Sequence, residues 1–194
     1  MLVLVRHGEA AGNAAGVLLG REDSPLTEFG RIQAAQLAPL VSGATRLISS
    51  PLRRAVETAE VLGLELPVEI DDRWVEIDYG AYEGRPLKDI TPSEWDKWHS
   101  DPTRQWSGGE SLADVGERVG RCCEDLFAHE DSGARARGDV VVVSHVSPIK
   151  AAVAWALAVG DGVAWRMYLA TASCTRIGWG VRGPVLRSFN ETIS

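Results

Sequence analysis

The residues best equipped for chemistry are two imidazoles and two guanidiniums that stand at corresponding points of the chain. Arg6 and His7, followed by Gly8 and Glu9, close the apolar run Leu2–Val5, and His145, behind Ser144, closes the apolar run Val140–Val143. Between them Arg53 and Arg54 follow Ser50-Pro51 at the start of a helical repeat. Gathered together, these groups are costly unless an anion completes the set. Phosphate suits them best, because guanidinium forks match its oxygens and imidazole can donate to it or attack it. A metal would need carboxylate or thiolate partners at ligand spacing, and the arginines would repel it. A serine-hydrolase reading fails for want of a G-x-S-x-G elbow. Plainer readings stand beside these: a surface turn that happens to hold Arg and His, and ion pairs from Arg53 and Arg54 to Glu57 at helical spacing.

An unbroken apolar run is the pattern of a strand buried on both faces, and open α/β sheets bind ligands at the carboxyl ends of such strands. Gly8 would let the chain turn sharply there. The intervening chain reads as βα units. Thr27 is placed to cap a helix from Glu28 to about Leu40, with Ile32, Ala35, Leu37, Leu40 and Val41 inward and Pro39 ending or bending it. Arg46–Ser49 is a second strand, after which Ser50 should cap a helix that has Pro51 at its first position and Leu52, Ala55, Val56, Ala59 and Leu62 on one face. Val68–Ile70 is a third strand. Trp74–Tyr82 is an extended or turning segment, and Glu76, Asp78 and Glu83 lie near Gly80 and Gly84, as a source of a general acid or as solvated loop charges.

Thr91-Pro92-Ser93-Glu94 matches a capping box and predicts a helix from Pro92 to about Ser100. Trp95 and Trp98 lie on it, and Trp106 lies just beyond. Their indoles could line a lid over an apolar pocket or form a small satellite core. A helix over about Glu110–His129 places Leu112, Val115, Val119, Cys122 and Leu126 on one stripe, so Cys122 belongs to the core, and Gly116 and Gly120 suggest close packing. Gly133–Asp139 is a loop. Another helix follows from about Ser147 to Val159, and roughly Met167–Ile177 and Val185–Phe189 are expected as edge or returning strands.

The 194 residues carry no Gly/Ser- or Pro-rich linker, which predicts one domain over 1–194 with a Trp-rich, lid-like insertion at about 85–110. A net charge of −7 argues against a dedicated nucleic-acid or anionic-membrane partner. Three cysteines form neither a disulfide framework nor a metal-ligand spacing, and no apolar segment approaches a membrane span. A soluble cytoplasmic protein is expected; a homodimer stays open.

Several motifs occur in order: Arg6-His7-Gly8-Glu9 with Asn13, Gly20-Arg21 through Gly30, Ser50-Pro51-Leu52-Arg53-Arg54-Ala55 with Thr58-Ala59, Glu76 with Tyr79-Gly80 and Glu83-Gly84, Gly108-Gly109-Glu110-Ser111, and Ser144-His145. Together they resemble the histidine phosphatase superfamily, the phosphoglycerate mutase-like group, from residue 2 to about 150. The resemblance implies an α/β fold, a three-layer α/β/α sandwich on a mostly parallel central sheet, and a two-step reaction without metal or other cofactor. His7 would attack phosphorus to give a phosphohistidine. Arg6, Arg54 and His145 would hold the phosphoryl oxygens, with Asn13 and the backbone N–H groups near Gly8 and Val146 assisting. Glu76 would protonate the leaving oxygen and then activate water, Glu83 being the alternative acid.

Where mutases of the family carry Glu-Arg-His-Tyr-Gly, this chain has Glu76-Ile77-Asp78-Tyr79-Gly80, and Ile77 replaces a basic residue that helps hold a carboxylate. That favours a phosphomonoesterase acting on a small phosphorylated metabolite over a phosphoglycerate mutase. A non-catalytic phospho-ligand binding module is a further alternative. His145-Val146-Ser147-Pro148-Ile149-Lys150 departs from the commoner His-Gly-Gly-x-Ile-Arg and is similar to acid phosphatases related to the α-ribazole phosphatases. Substrate choice would then lie in Arg85–Trp106.

Overall fold

A computed structural model describes residues 1–105, 108–131 and 138–193. In chain order the elements are β1 (Leu2–Arg6), α1 (Ala11–Ala14), α2 (Glu28–Gln36), α3 (Ala38–Val41), β2 (Ala44–Ser49), α4 (Arg53–Val61), β3 (Val68–Ile70), α5 (Pro92–His99), α6 (Leu112–Asp131), β4 (Asp139–Ser144), α7 (Val146–Leu157), β5 (Ser173–Gly180) and β6 (Gly183–Glu191), with short 3-10 turns between them. The strands form one sheet in the order β3-β2-β4-β1-β5-β6. Its β3, β2, β4 and β1 are mutually parallel, whereas β5 and β6 return antiparallel.

The two apolar runs are neighbours at the centre. β1 pairs with β4 from Leu2 opposite Val140 to Arg6 opposite Ser144. One further step in that register brings His7 beside His145. Side chains alternate across the strands, so Val3, Val5, Val141 and Val143 pack with Leu37, Ala55, Ala59 and Leu62 on one face. Leu2, Leu4, Val140 and Val142 pack with Trp74, Val115, Val119, Cys122 and Ile149 on the other. Each buried Val, Leu or Ile among them contributes about 1.5–3 kcal/mol. The result is the three-layer sandwich, with α2 and α4 on one face of the sheet and α6 and α7 on the other.

Several local expectations change. The helix expected to reach Leu40 stops at Gln36 and restarts as α3, because the Pro39 ring would clash with the Ala35 carbonyl in a continuous helix. Ile32 and Ala35 are exposed, and Gly30 and Ala34 face inward instead. The cause is backbone contact: a Cβ on Gly8 would lie 2.1 Å from the Gly30 carbonyl oxygen, and one on Gly30 would lie 2.0 Å from that of Glu9. Such contact leaves no trace in apolar periodicity. Ser50 is not the cap of α4, which begins at Arg53; Asp23, from a distant loop, accepts the Arg53 N–H at 2.7 Å. β5 begins only at Ser173, so residues 167–172 are not strand, and their carbonyls are free for other partners.

The insertion is anchored as well as capped. Thr91 and Glu94 form the expected box at the start of α5. Trp98 is 2% exposed and joins the main core, with its ring 5.1 Å from Tyr79, 5.5 Å from Trp95 and 4.5 Å from Trp165. Trp106 and most of the Gly133–Asp139 loop lie outside the described residues. On α6, Cys122, Cys123 and Phe127 are buried and Leu126 only half so; a Cβ on Gly116 would meet the Asp161 carboxylate at 2.3 Å. Among the described residues no helix is long and apolar enough to cross a membrane.

Candidate active site

The ends of β1 and β4 set two imidazoles 5.0 Å apart, centroid to centroid. His7 is 3% exposed, and its Nδ1–H donates to the Gly8 carbonyl at 2.7 Å. Nε2 is left with its lone pair facing the site. Arg54 enters from the first turn of α4, wholly buried. Its Nε–H is shared between His7 Nε2 and His145 Nδ1, each at 3.2 Å. Its two terminal nitrogens donate to the carbonyls of Glu22, at 2.8 Å, and Gly20, at 2.5 Å. Carbonyls orient the guanidinium without neutralising it.

Arg6 donates from Nη1 to the Leu169 carbonyl at 2.6 Å, one of the carbonyls outside β5. Its buried Nε has no partner among the described residues. Among the described residues, two guanidiniums therefore sit beside two imidazoles with no carboxylate hydrogen-bonded to any of them. Burial above all, then Arg54 and Arg6, push His7 well below the ordinary imidazole range, against the opposing bond to Gly8. His145 moves the same way, through burial, Arg54, His7 and Arg6 in turn. Both rings are neutral at pH 7. Burial also lowers both arginines, but guanidinium stays charged.

Glu76 faces this cluster across the N-terminus of α7. Its carboxylate is 4% exposed and accepts N–H groups from Val146 at 3.0 Å, Ser147 at 3.1 Å and Ile77 at 2.8 Å. A helix N-terminus is a favourable seat for that charge. Two expectations change here. The Val146 N–H is engaged by Glu76, and the Gly8 N–H donates to Thr58 Oγ1 at 3.1 Å, so neither is turned toward a phosphoryl oxygen. Asn13 lies on α1 and accepts the Ala10 N–H at 3.0 Å, with no hydrogen bond to the cluster.

The plainer ion-pair reading holds for one arginine only: Arg53 bonds Glu57 at 2.7 Å, whereas Arg54 turns inward. Glu83, the alternative acid, accepts backbone N–H groups from Gly20, Arg21, Glu22 and Tyr79 at 2.9–3.3 Å and so frames a loop. Ser50, freed from capping, meets His145 Nε2 at 2.7 Å. Sequence reasoning missed both roles. Glycines flanking Glu83 and Gly20 were the available signal, since a Cβ on Gly20 would collide with the Glu83 carboxylate. Among the described residues no group of three or more His, Cys, Asp or Glu is placed to hold a metal ion.

Comparison with known proteins agrees with this geometry. Curated mycobacterial relatives, among them a bifunctional protein of Mycobacterium tuberculosis, are 35% identical over 180 residues, covering 89% of this chain and 48% of theirs. The chain thus spans about half the length of those relatives. Phosphoserine phosphatase 1 of Hydrogenobacter thermophilus is 34% identical over 201 residues, covering 98% of this chain and 92% of its own. A mycobacterial glucosyl-3-phosphoglycerate phosphatase solved with vanadate superposes with a TM-score of 0.88 at 30% identity, covering 98% of each chain. The α-ribazole phosphatase of Shigella flexneri gives 0.83 at 25% identity, over 98% of this chain and 96% of its own. The histidine phosphatase superfamily (branch 1) profile matches residues 2–192. On that match, and on a buried His7–Arg54–His145 cluster at the ends of paired parallel strands, the chain belongs to the histidine phosphatase superfamily.

Proposed function

We propose that the chain is a metal-independent phosphomonoesterase that hydrolyses a small phosphorylated metabolite through a phosphohistidine on His7. The observation that carries this reading is the neutral His7 Nε2, held by the Nδ1–H bond to Gly8 and set against two guanidiniums to which, among the described residues, no carboxylate is hydrogen-bonded. A phosphoryl group supplies the missing anion. Its oxygens take over the divided Arg54 Nε–H and the free Arg6 Nε–H, with His145, and Asn13 through its Nδ2, completing the grip. His7 Nε2 attacks phosphorus, and the bond to the ester oxygen breaks. Glu76, which takes up a proton as the anionic substrate enters, gives it to that oxygen. Water then attacks the phosphohistidine and returns a proton to Glu76, and the P–N bond breaks to release phosphate. In this scheme Val146 acts through Glu76, and Glu83 has no proton to move.

Named relatives act on phosphoserine and glucosyl-3-phosphoglycerate, which supports a small phosphate ester as substrate. Ile77 is fully buried in the core, so hydrolysis is favoured over a mutase that would need a basic side chain there. The test is inorganic phosphate release from a panel of phosphomonoesters in chelator, native protein against His7→Ala. Release that survives chelation and disappears in the variant is expected. Isomerisation of 3-phosphoglycerate with its bisphosphate primer, and no release, would replace the reading with a mutase; silence in both assays would leave a binding module.

A further inference from the structure

Ser50 lies in the turn between β2 and α4, fully buried, with Oγ 2.7 Å from His145 Nε2. The same hydroxyl accepts the Leu52 N–H at 3.3 Å. On the other side of the ring, His145 Nδ1 accepts the Arg54 Nε–H at 3.2 Å. A nitrogen that accepts carries no proton, so these partners assign the free protein the Nε2–H tautomer, donating to Ser50.

Gripping a phosphoryl oxygen demands the reverse. That oxygen offers only lone pairs, so Nδ1 must donate, and a neutral ring that donates from Nδ1 must accept at Nε2. His145 Nδ1 and His7 Nε2 share one N–H, so both lone pairs converge on the space a phosphoryl group would enter. A carboxylate or carbonyl opposite Nε2 would lock the free-state tautomer. A hydroxyl need only rotate, having one donor and two acceptor positions. Burial and the neighbouring guanidiniums disfavour the other escape, a doubly protonated ring.

We propose that Ser50 is a positioning residue whose hydroxyl turns from acceptor to donor as phosphate binds, so that the His145 proton moves from Nε2 to Nδ1. The inference rests on the phosphate-site reading above. The ring holds one proton before and after; Nε2 releases one and Nδ1 gains one by exchange with water, with no net uptake. Ser50 touches no reacting atom.

The experiment is nitrogen NMR of the histidine-labelled native protein and of Ser50→Ala and Ser50→Thr, each free and with inorganic phosphate. The His145 signals change from the Nε2–H to the Nδ1–H pattern, while His7 keeps Nδ1–H throughout. Ser50→Ala leaves Nε2 unpaired in the free and the bound protein alike, so its readout is the tautomer: with no hydroxyl to accept from Nε2 and then donate to it, the clean exchange of the two patterns is lost, whereas Ser50→Thr retains it. Phosphate binding with an unchanged His145 tautomer overturns this proposal alone, as does a native-like tautomer exchange in Ser50→Ala. Native protein that binds no phosphate overturns the phosphate site and the proposal together. Should Ser50→Ala not fold, the native spectra decide.

Discussion

Glu83 and Arg54 form no hydrogen bond with each other, yet the carboxylate sets where the guanidinium points. Glu83 accepts the N–H groups of Gly20, Arg21 and Glu22, and the carbonyls of Gly20 and Glu22 then take the two terminal nitrogens of Arg54. The donor this leaves pointing at the histidines is Nε–H. A residue that looks like a spare acid is a brace two steps behind the histidines.

Replacing that brace should therefore cost catalysis through misplacement. Glu83→Ala is expected to lower kcat/KM by about a hundredfold, the scale of a displacement near 1 Å. In the double variant with Arg54→Lys the loss should not exceed that of Arg54→Lys alone. Additive losses in the steady-state cycle would show that Glu83 acts by another route.

Glu76→Gln removes the proposed proton donor at nearly constant size, and with it the charge that acts on Arg6 and Arg54. Alkyl phosphates, whose leaving oxygen needs a proton, should turn over about 10²–10⁴-fold more slowly. The first step with an aryl phosphate should suffer much less, so a burst of the phenol is expected in stopped flow. Equal losses on both ester types would remove Glu76 from the acid role.

Trp98 separates lid from core. It is buried among Tyr79, Trp95 and Trp165, so Trp98→Ala should destabilise the fold by about 3–5 kcal/mol in denaturant titration. Residual activity should fall equally on all substrates. A change of substrate preference at unchanged stability would restore the lid reading for this residue.

The buried imidazoles also tie stability to pH. Each is held well below its unfolded value near 6.5, so the unfolded chain binds the extra protons and acid favours unfolding. Their contribution is complete above about pH 6.5 and is lost progressively as pH falls from there toward the folded-state values. Well below pH 6.5 each histidine should steepen the loss by about 1.4 kcal/mol per pH unit. His145→Gln should flatten the slope of stability between about pH 6 and 5; an unchanged slope would mean the ring is already charged in the native protein.

What could be read from the sequence was local. Leu2–Val5 and Val140–Val143 declare central strands by their continuity, and the Thr91–Glu94 box declares α5, because each signal sits within a few adjacent residues. The pairing that makes the site, Arg6 opposite Ser144, joins segments 138 positions apart, though equivalent endings hinted at it. Asp23 capping α4 and Ser50 turning to His145 were invisible for the same reason: nearby spacing offered Ser50 as the cap, and a carboxylate from another loop displaced it. Ile32 was misplaced because α2 docks through Gly30, whose contribution is the absence of a side chain.

That docking bears on how the chain could be redesigned. Behind His7 the chain touches α2 backbone to backbone at Gly8 and Gly30, and even a methyl group is refused at either position. Saturation libraries aimed at this wall would return mostly unfolded protein. On the proposed reading, new substrate range is to be sought around the exposed Tyr168, whose charge acts on Arg6, and at exposed positions within residues 85–105 such as Leu87, away from the buried Ile90 and Trp98.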